Sequence, residues 1–354
     1  MSFGSKYTSP AMLFTIVGAG AIGAITGAHL IRSGHEVTLV DTLEEHLAMI
    51  RDRGLTLDGV SRLTVRPRAA VLPAELRPPL GTVICAVKTL HTASALRPIV
   101  PLLAPGEYVL SMQNGLAYYD LIDAVGPGRT LVACFNFGGH YERPGHVVHS
   151  GSGGFHVGEL DGTVTPRVRA LGEALRAVQP CEVSDNILGC LWSKMAMASV
   201  FFASALVDAD VAEILGRERY RELMADLVAE TVAVAEASGI RLIELHGFDP
   251  MSLRPDRRTS DTVVRALAAI AGSFSPHQQR TGIWIDLAVR RRKTESEPIL
   301  GRLLAEGERH GVPMPLNRAV YELITEMEAH RRSFSWENLE EVERRGRGLT
   351  ATRH

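Results

Sequence analysis

Residues 15–42 read "TIVGAGAIGAITGAHLIRSGHEVTLVDT". A β-branched run opens the stretch, and glycines at Gly18, Gly20 and Gly23 follow it. A helical run comes next, then a second β-rich run that closes on Asp41. Gly18 permits a tight turn after the strand. Gly20 lets a pyrophosphate approach the backbone at a helix N-terminus, and Gly23 lets that helix pack close to the strand. Such a glycine pattern is weak alone. With a strand before it, a helix after it and an acid ending the next strand, it predicts a dinucleotide site. That site is built from Gly18, Ala19, Gly20, Ala21, Ile22 and Gly23.

Asp41 bears on which dinucleotide is bound. A carboxylate there can accept the ribose hydroxyls of NAD, and it repels the 2′-phosphate of NADP. The next residues, "TLEEH", offer no Arg or Lys to hold a phosphate. Asp41 also has a plainer use, capping a helix that begins near Leu43, and the two roles can coexist.

Outward from this stretch, residues 13–183 alternate strand-like runs with helical ones. "LFTIVG", "EVTLVD", "GTVICAV", "GEYVLSM" and "TLVACFNF" are the strands, and "LHTASALRPIVPLL" is among the helices. The alternation predicts right-handed βαβ crossovers and a mostly parallel sheet. "FGGHYERPGHVVHSGSGGFHVGEL" differs in texture and predicts an antiparallel hairpin added to that sheet. After residue 184 the chain reads as helical, with Gly239 and Gly311 placed to end helices. The expectation is an α/β domain over residues 13–184 and an all-α domain over 185–345, with a substrate cleft at their seam. The apolar helical half suits either a homodimer contact or simply that domain's own core.

Composition narrows the function classes. The chain has 354 residues and a net charge of −2, which leaves no basic footprint for a nucleic-acid or membrane-surface partner. Four cysteines with no CxxC pair predict neither a metal site nor a disulfide framework. No secretory signal is legible at the N-terminus, and no apolar run reaches the roughly 18 residues of a membrane span. A cytoplasmic protein acting on a small molecule is expected.

Further motifs, "AVKTLHTASAL", "SMQNGL", "GHVVHSGSGGFHVGELDG", "NILGCLWSKM", "RRKTE" and "HGVPMPLN", follow "GAGAIG" in order. Together they resemble the ketopantoate reductase family over nearly the whole chain. The resemblance implies a Rossmann-type domain, a helical domain and hydride transfer without a metal. It implies that Lys194 is the catalytic lysine, giving a proton to the carbonyl oxygen as hydride reaches the carbon. It implies Glu295 as its partner, Asn114 near the nicotinamide and substrate, and Lys88 near the cofactor. Each has a plainer reading: a snorkelling lysine, a solvated helix acid, a turn Asn before Gly and a strand-end lysine.

The chain departs from the family pattern at three places. Thr42 stands where the family carries an arginine for the 2′-phosphate. Ala198 and Phe202 replace asparagines four and eight residues beyond the lysine. Gly282, or Thr281 with a one-residue slip, replaces the serine that grips the substrate carboxylate. Arg280, His277, Gln278 and Gln279 lie close enough in sequence to supply another grip. Each lost donor costs on the order of 1 kcal/mol in binding a polar substrate. The expected activity is therefore NAD-dependent oxidoreduction of a 2-hydroxy or 2-oxo acid, or a related secondary alcohol, other than pantoate. The rivals are 2-dehydropantoate 2-reduction itself and a nucleotide-binding protein without catalysis.

Overall fold

The computed structural model describes residues 10–273 and 279–351, the side chains of 348–351 excepted. Two compact units divide at Ile187 and Leu188, against an expected boundary of 184/185.

In the first unit Leu13–Val17 (β1), Ala21–Arg32 (α1) and Glu36–Val40 (β2) realise the opening stretch, and Glu44–Arg53 (α2) comes after it. Leu55–Gly59 (β3), Leu63–Val65 (β4) and Ala69–Val71 (β5) follow. Thr82–Cys85 (β6), Thr92–Leu96 (α3), Tyr108–Ser111 (β7), Tyr118–Val125 (α4) and Thr130–Phe135 (β8) complete the alternating part. Then come Gly138–Arg143 (β9), His146–Gly151 (β10), Phe155–Glu159 (β11), Pro166–Leu175 (α5) and Cys181–Val183 (β12). Among the described residues the main sheet has the order β12-β11-β8-β7-β6-β1-β2-β5, and β1 pairs in parallel with both β2 and β6. The chain thus leaves β1 to one side and returns on the other. That makes β1/β6 the point where ligands of open α/β sheets bind.

The central strands are buried along their length, and successive side chains alternate between two covered faces, as a parallel sheet with both faces packed requires. Phe14, Ile16, Leu39, Ile84 and Leu110 join one apolar cluster, while Val17, Val40, Val83, Cys85 and Val109 join another.

Two expectations are corrected. The hairpin β9–β10 forms, but in a second sheet of order β4-β3-β10-β9, where β10 pairs in parallel with β3. Only β11 joins the main sheet, antiparallel to β8. "LHTASALRPIVPLL" yields just the five residues of α3 and short 3₁₀ turns, because Pro98 and Pro101 cannot sit inside a helix.

The second sheet lies on α1, where a Cβ on Gly139 would come within 2.6 Å of Ile25. A polar seam joins them: His29 Nε2 and His149 Nδ1 each meet Ser61 Oγ at 2.9 Å. Burial, aided by Arg32 and His149, pushes His29 down to about 4, and burial also lowers His35, His46 and His149. The folded state therefore keeps these rings neutral while the unfolded chain protonates them at the ordinary 6.5. Stability is full above that value and falls as pH drops from about 6.5 towards 4. A melting temperature roughly 5 °C lower at pH 5 than at pH 7.5 is expected; a flat profile across that interval would overturn the assignment.

The second unit is helical: Ile187–Ser204 (α6), Val211–Gly216 (α7), Arg221–Ala237 (α8), Ser260–Gly272 (α9), Gly282–Ala288 (α10), Arg302–Arg309 (α11), Pro315–Glu328 (α12) and Glu337–Ala351 (α13). Gly239 (φ +72) and Gly311 (φ +67) follow α8 and α11 in the left-handed conformation that closes a helix. Glu230 of α8 accepts N–H bonds from Leu316 (2.8 Å) and Asn317 (2.9 Å), which ties the start of α12 to α8. By length and composition α6 is long and apolar enough to cross a membrane, unlike the shorter runs expected from sequence. Its apolar window is 78% buried within the fold, as a core helix is.

Candidate active site

The first unit gathers the predicted cofactor residues at the C-terminal edge of its parallel strands. Gly18 takes φ +98 just after β1, and a Cβ there would lie 2.8 Å from the Val87 nitrogen. The turn therefore presses directly on the loop after β6. A Cβ on Gly23 would lie 1.9 Å from the Gly18 carbonyl oxygen, so the first turn of α1 packs on the same turn. Gly20 is the N-cap of α1 and has no side chain to cap it; a Cβ there meets nothing within 4 Å. Ala19, Ala21 and Ile22 complete the loop. Open space at an uncapped helix N-terminus is the arrangement an anionic pyrophosphate needs, so the residues fit a dinucleotide.

Asp41 follows β2 and reaches back to this loop. Its Oδ2 accepts the Ala19 N–H at 2.8 Å, and its Oδ1 accepts those of Thr42 (2.8 Å) and Leu43 (3.0 Å). These bonds hold the glycine loop and the turn before α2, but Asp41 does not cap that helix: its N-cap is Leu43, with no side-chain hydrogen bond. Three of the carboxylate's roughly four acceptor sites are already engaged, leaving about one for a ribose hydroxyl.

Lys88 and Asn114 follow β6 and β7, and a shared set of hydrogen bonds joins their loops. Gln113, 5% exposed, donates to the Val87 carbonyl (3.0 Å) and to Thr92 Oγ1 (2.7 Å). Thr89 Oγ1 donates to the Asn114 carbonyl at 3.2 Å. Asn114 is exposed and precedes Gly115 at φ +70, so it occupies an Asn-Gly turn as well as the ligand-binding edge. Gln113 is a site residue that the sequence reading left inside its motif without a role. Cys85, at the end of β6, is pushed up to about 12 by burial and stays a thiol.

In the second unit Lys194 sits mid-way along α6. From Gly189 to Ser204 only Lys194, Ala198 and Phe201 escape full burial. At about 100° per residue, Phe201 lies within roughly 20° of Lys194 and Phe202 about 80° away. Phe202 is 3% exposed and belongs to the core, whereas Phe201 shares the accessible stripe of Lys194 and Ala198.

Glu295 is not in a helix. The run expected to be helical breaks between α10 and a π-turn at Glu297–Gly301, with Arg291 at φ +49. The buried Asp286 holds Arg290 (3.1 Å) and Arg292 (2.8 Å) and folds the basic run back. Glu295 therefore stands at the start of the next helix, its carbonyl accepting the Ile299 N–H. Glu328 fixes the turn around it, accepting from the Thr294 nitrogen (2.8 Å) and hydroxyl (2.6 Å).

Thr281 is buried and is the N-cap of α10, accepting the Trp284 N–H at 3.2 Å; Gly282 is the exposed first residue of that helix. Arg280 pairs with Asp208 (2.9 Å) and Asp210 (2.8 Å) and lies over the Trp284 ring. Arg280 is thus already engaged with two carboxylates of its own unit. His277 and Gln278 fall outside the described residues. Among the described residues no cluster of His, Cys, Asp and Glu could hold a metal.

Residues 14–162 match the family model for ketopantoate reductase PanE/ApbA, and residues 186–328 match the model of its C-terminal part. The chain is 25% identical to the 2-dehydropantoate 2-reductase of Streptococcus pyogenes serotype M6, over 90% of this chain and 98% of that one. It is 27% identical to the Halobacterium salinarum enzyme of the same name, over 88% and 98%. The solved ketopantoate reductase from Ralstonia eutropha JMP134 superposes with a TM-score of 0.75 at 28% identity, covering 90% and 99% of the two chains. D-mandelate dehydrogenase, solved with NADH and anilino(oxo)acetate, superposes with a TM-score of 0.78 at 23% identity, covering 90% and 99%; it shares the fold.

Proposed function

The chain belongs to the ketopantoate reductase family, and from that premise we propose that it is an NAD-dependent oxidoreductase for a 2-hydroxy or 2-oxo acid bulkier and more apolar than pantoate. The family's chemistry is oxidoreduction at a CH–OH group. The observation that carries the substrate reading is the accessible stripe of α6, where Lys194 is followed by Ala198 and Phe201 and by no hydrogen-bonding side chain. A polar substrate wall would need donors at those positions. Ala198 and Phe201 favour a hydrocarbon or aromatic group beside the reacting carbon.

NAD preference rests on Asp41 and Thr42. With about one acceptor site to spare, Asp41 discriminates mainly by repelling a 2′-phosphate, and Thr42 supplies no cation to offset that repulsion. Gly18, Ala19, Gly20, Ala21, Ile22 and Gly23 would hold the pyrophosphate, and Lys88 and Asn114 stand on the two neighbouring loops. Bound nicotinamide supplies or takes the hydride at its C4. Lys194, as an ammonium, donates a proton to the carbonyl oxygen during reduction and recovers it during oxidation. Glu295 partners Lys194, and Asn114 orients the substrate or the nicotinamide.

A panel of 2-oxo acids assayed with NADH and with NADPH tests this reading. NADH is expected to give a kcat/KM at least about tenfold above NADPH, the equivalent of roughly 1.4 kcal/mol. Aryl or branched-chain 2-oxo acids are expected to exceed ketopantoate. Efficient NADPH-linked turnover of ketopantoate would sink the proposal, and binding of NADH without turnover of any 2-oxo or 2-hydroxy acid would favour a non-catalytic nucleotide binder.

A further inference from the structure

We infer that His46 is a positioning residue of the dinucleotide site, clamping the Ala19–Gly20 peptide so that the Gly20 N–H faces the bound pyrophosphate. The inference rests on the reading of the glycine loop as that site. His46 lies in α2 and is 1% exposed. Its Nε2 is 3.0 Å from the Ala19 carbonyl oxygen, and its Nδ1 accepts the Gly145 N–H at 2.9 Å. The second bond fixes the tautomer: Nδ1 is an acceptor, so Nε2 carries the proton and donates to Ala19. Burial lowers the ring's proton affinity and keeps it in this neutral form.

Ala19 is thus gripped from both ends, its N–H by Asp41 Oδ2 at 2.8 Å and its carbonyl by His46. The Ala19 carbonyl shares a planar trans peptide with the Gly20 N–H, so the two point in opposite directions. Turning the carbonyl inward to His46 turns the Gly20 N–H outward, at the N-cap where an added Cβ meets nothing within 4 Å. A donor aimed in advance costs no reorganisation when the anion arrives.

The imidazole also rests on the second sheet. Gly145 (φ +74) forms the β9–β10 turn, and a Cβ there would come within 2.5 Å of Met49 in α2. Tyr141 of β9 meets the ring edge-on, centroids 5.3 Å apart. The hairpin that sequence assigned to the main sheet therefore serves as the backstop of the cofactor loop.

Two substitutions separate the contacts. In His46→Gln the amide nitrogen takes the place of Nε2 and still donates to Ala19. In His46→Asn the amide oxygen takes the place of Nδ1, keeping the Gly145 bond but not reaching Ala19. NADH affinity is measured by fluorescence titration of the full chain. The His46→Gln Kd is expected within about threefold of wild type and the His46→Asn Kd about tenfold weaker, with the loss falling on NADH Kd and KM rather than on kcat. Equal NADH affinity of the two variants would overturn the clamp. A wild-type chain that binds neither NADH nor NADPH would instead overturn the dinucleotide reading on which it rests.

Discussion

Lys194→Met is expected to lower kcat by about a thousandfold in the reductive direction while NADH affinity stays within about twofold of wild type. The size follows from what the residue is asked to do. A carbonyl that receives hydride becomes an alkoxide, and in a partly dry site an unneutralised alkoxide is strongly disfavoured. Lys194 is the only charged side chain of α6 and is half-buried, whereas its neighbours Trp192, Met195 and Met197 are buried. Methionine keeps the length and apolar stem, so the surrounding helix core is undisturbed. Lys194→Arg keeps the charge but not the transferable proton, since a guanidinium does not deprotonate in this pH range, and it is expected to recover less than a tenth of the loss. Retention of more than about a tenth of wild-type kcat by Lys194→Met would remove Lys194 from the chemistry.

The parts of the site legible in the sequence are those fixed by local stereochemistry. "GAGAIG" could be read because a positive φ, a close helix–strand approach and an open N-cap each demand glycine at a set spacing, and Gly18, Gly23 and Gly20 meet those demands in turn. The failures are non-local. An alternating pattern declares a strand but not its neighbour, so the sequence places the β9–β10 hairpin on the main sheet and carries no sign of β3, the strand that receives it. "RRRKTESE" is rich in the good helix formers Arg, Lys and Glu, yet two arginines folded onto one buried aspartate outweigh propensity and place Glu295 at a helix start. Phe202 is singled out by the resemblance, which places a family asparagine eight residues beyond the lysine; the accessible face of α6 returns nearer seven, at Phe201. His46 carries no signal of its own, because a lone histidine in a short amphipathic helix looks the same whether or not its two nitrogens meet distant backbone.

Gly20→Val is expected to leave the fold intact and abolish cofactor binding, whereas Gly23→Ala is expected to damage the fold itself. At Gly20 the backbone is extended (φ −68, ψ −161), which any L-residue adopts, and the added side chain projects into open space. The folded chain therefore tolerates it, at no more than the fraction of a kcal/mol to about 1 kcal/mol typical of a poorer N-cap. That open space is where the pyrophosphate must come within hydrogen-bond distance of the backbone, and two methyl groups displace it. A rise in NADH Kd of about a hundredfold or more is expected by titration, with an unchanged circular dichroism spectrum. At Gly23 one methyl group would stand 1.9 Å from the Gly18 carbonyl, which is rigid backbone packed in turn against Val87. Relief requires α1 to lift from β1, exposing Phe14 and Ile16 at the centre of the sheet, and a loss of several kcal/mol follows, on the order of 3. The two glycines thus separate what the motif does for a ligand from what it does for the chain. If Gly20→Val binds NADH as wild type does, the space over the α1 N-terminus holds no pyrophosphate, and the glycine pattern here is a packing device alone.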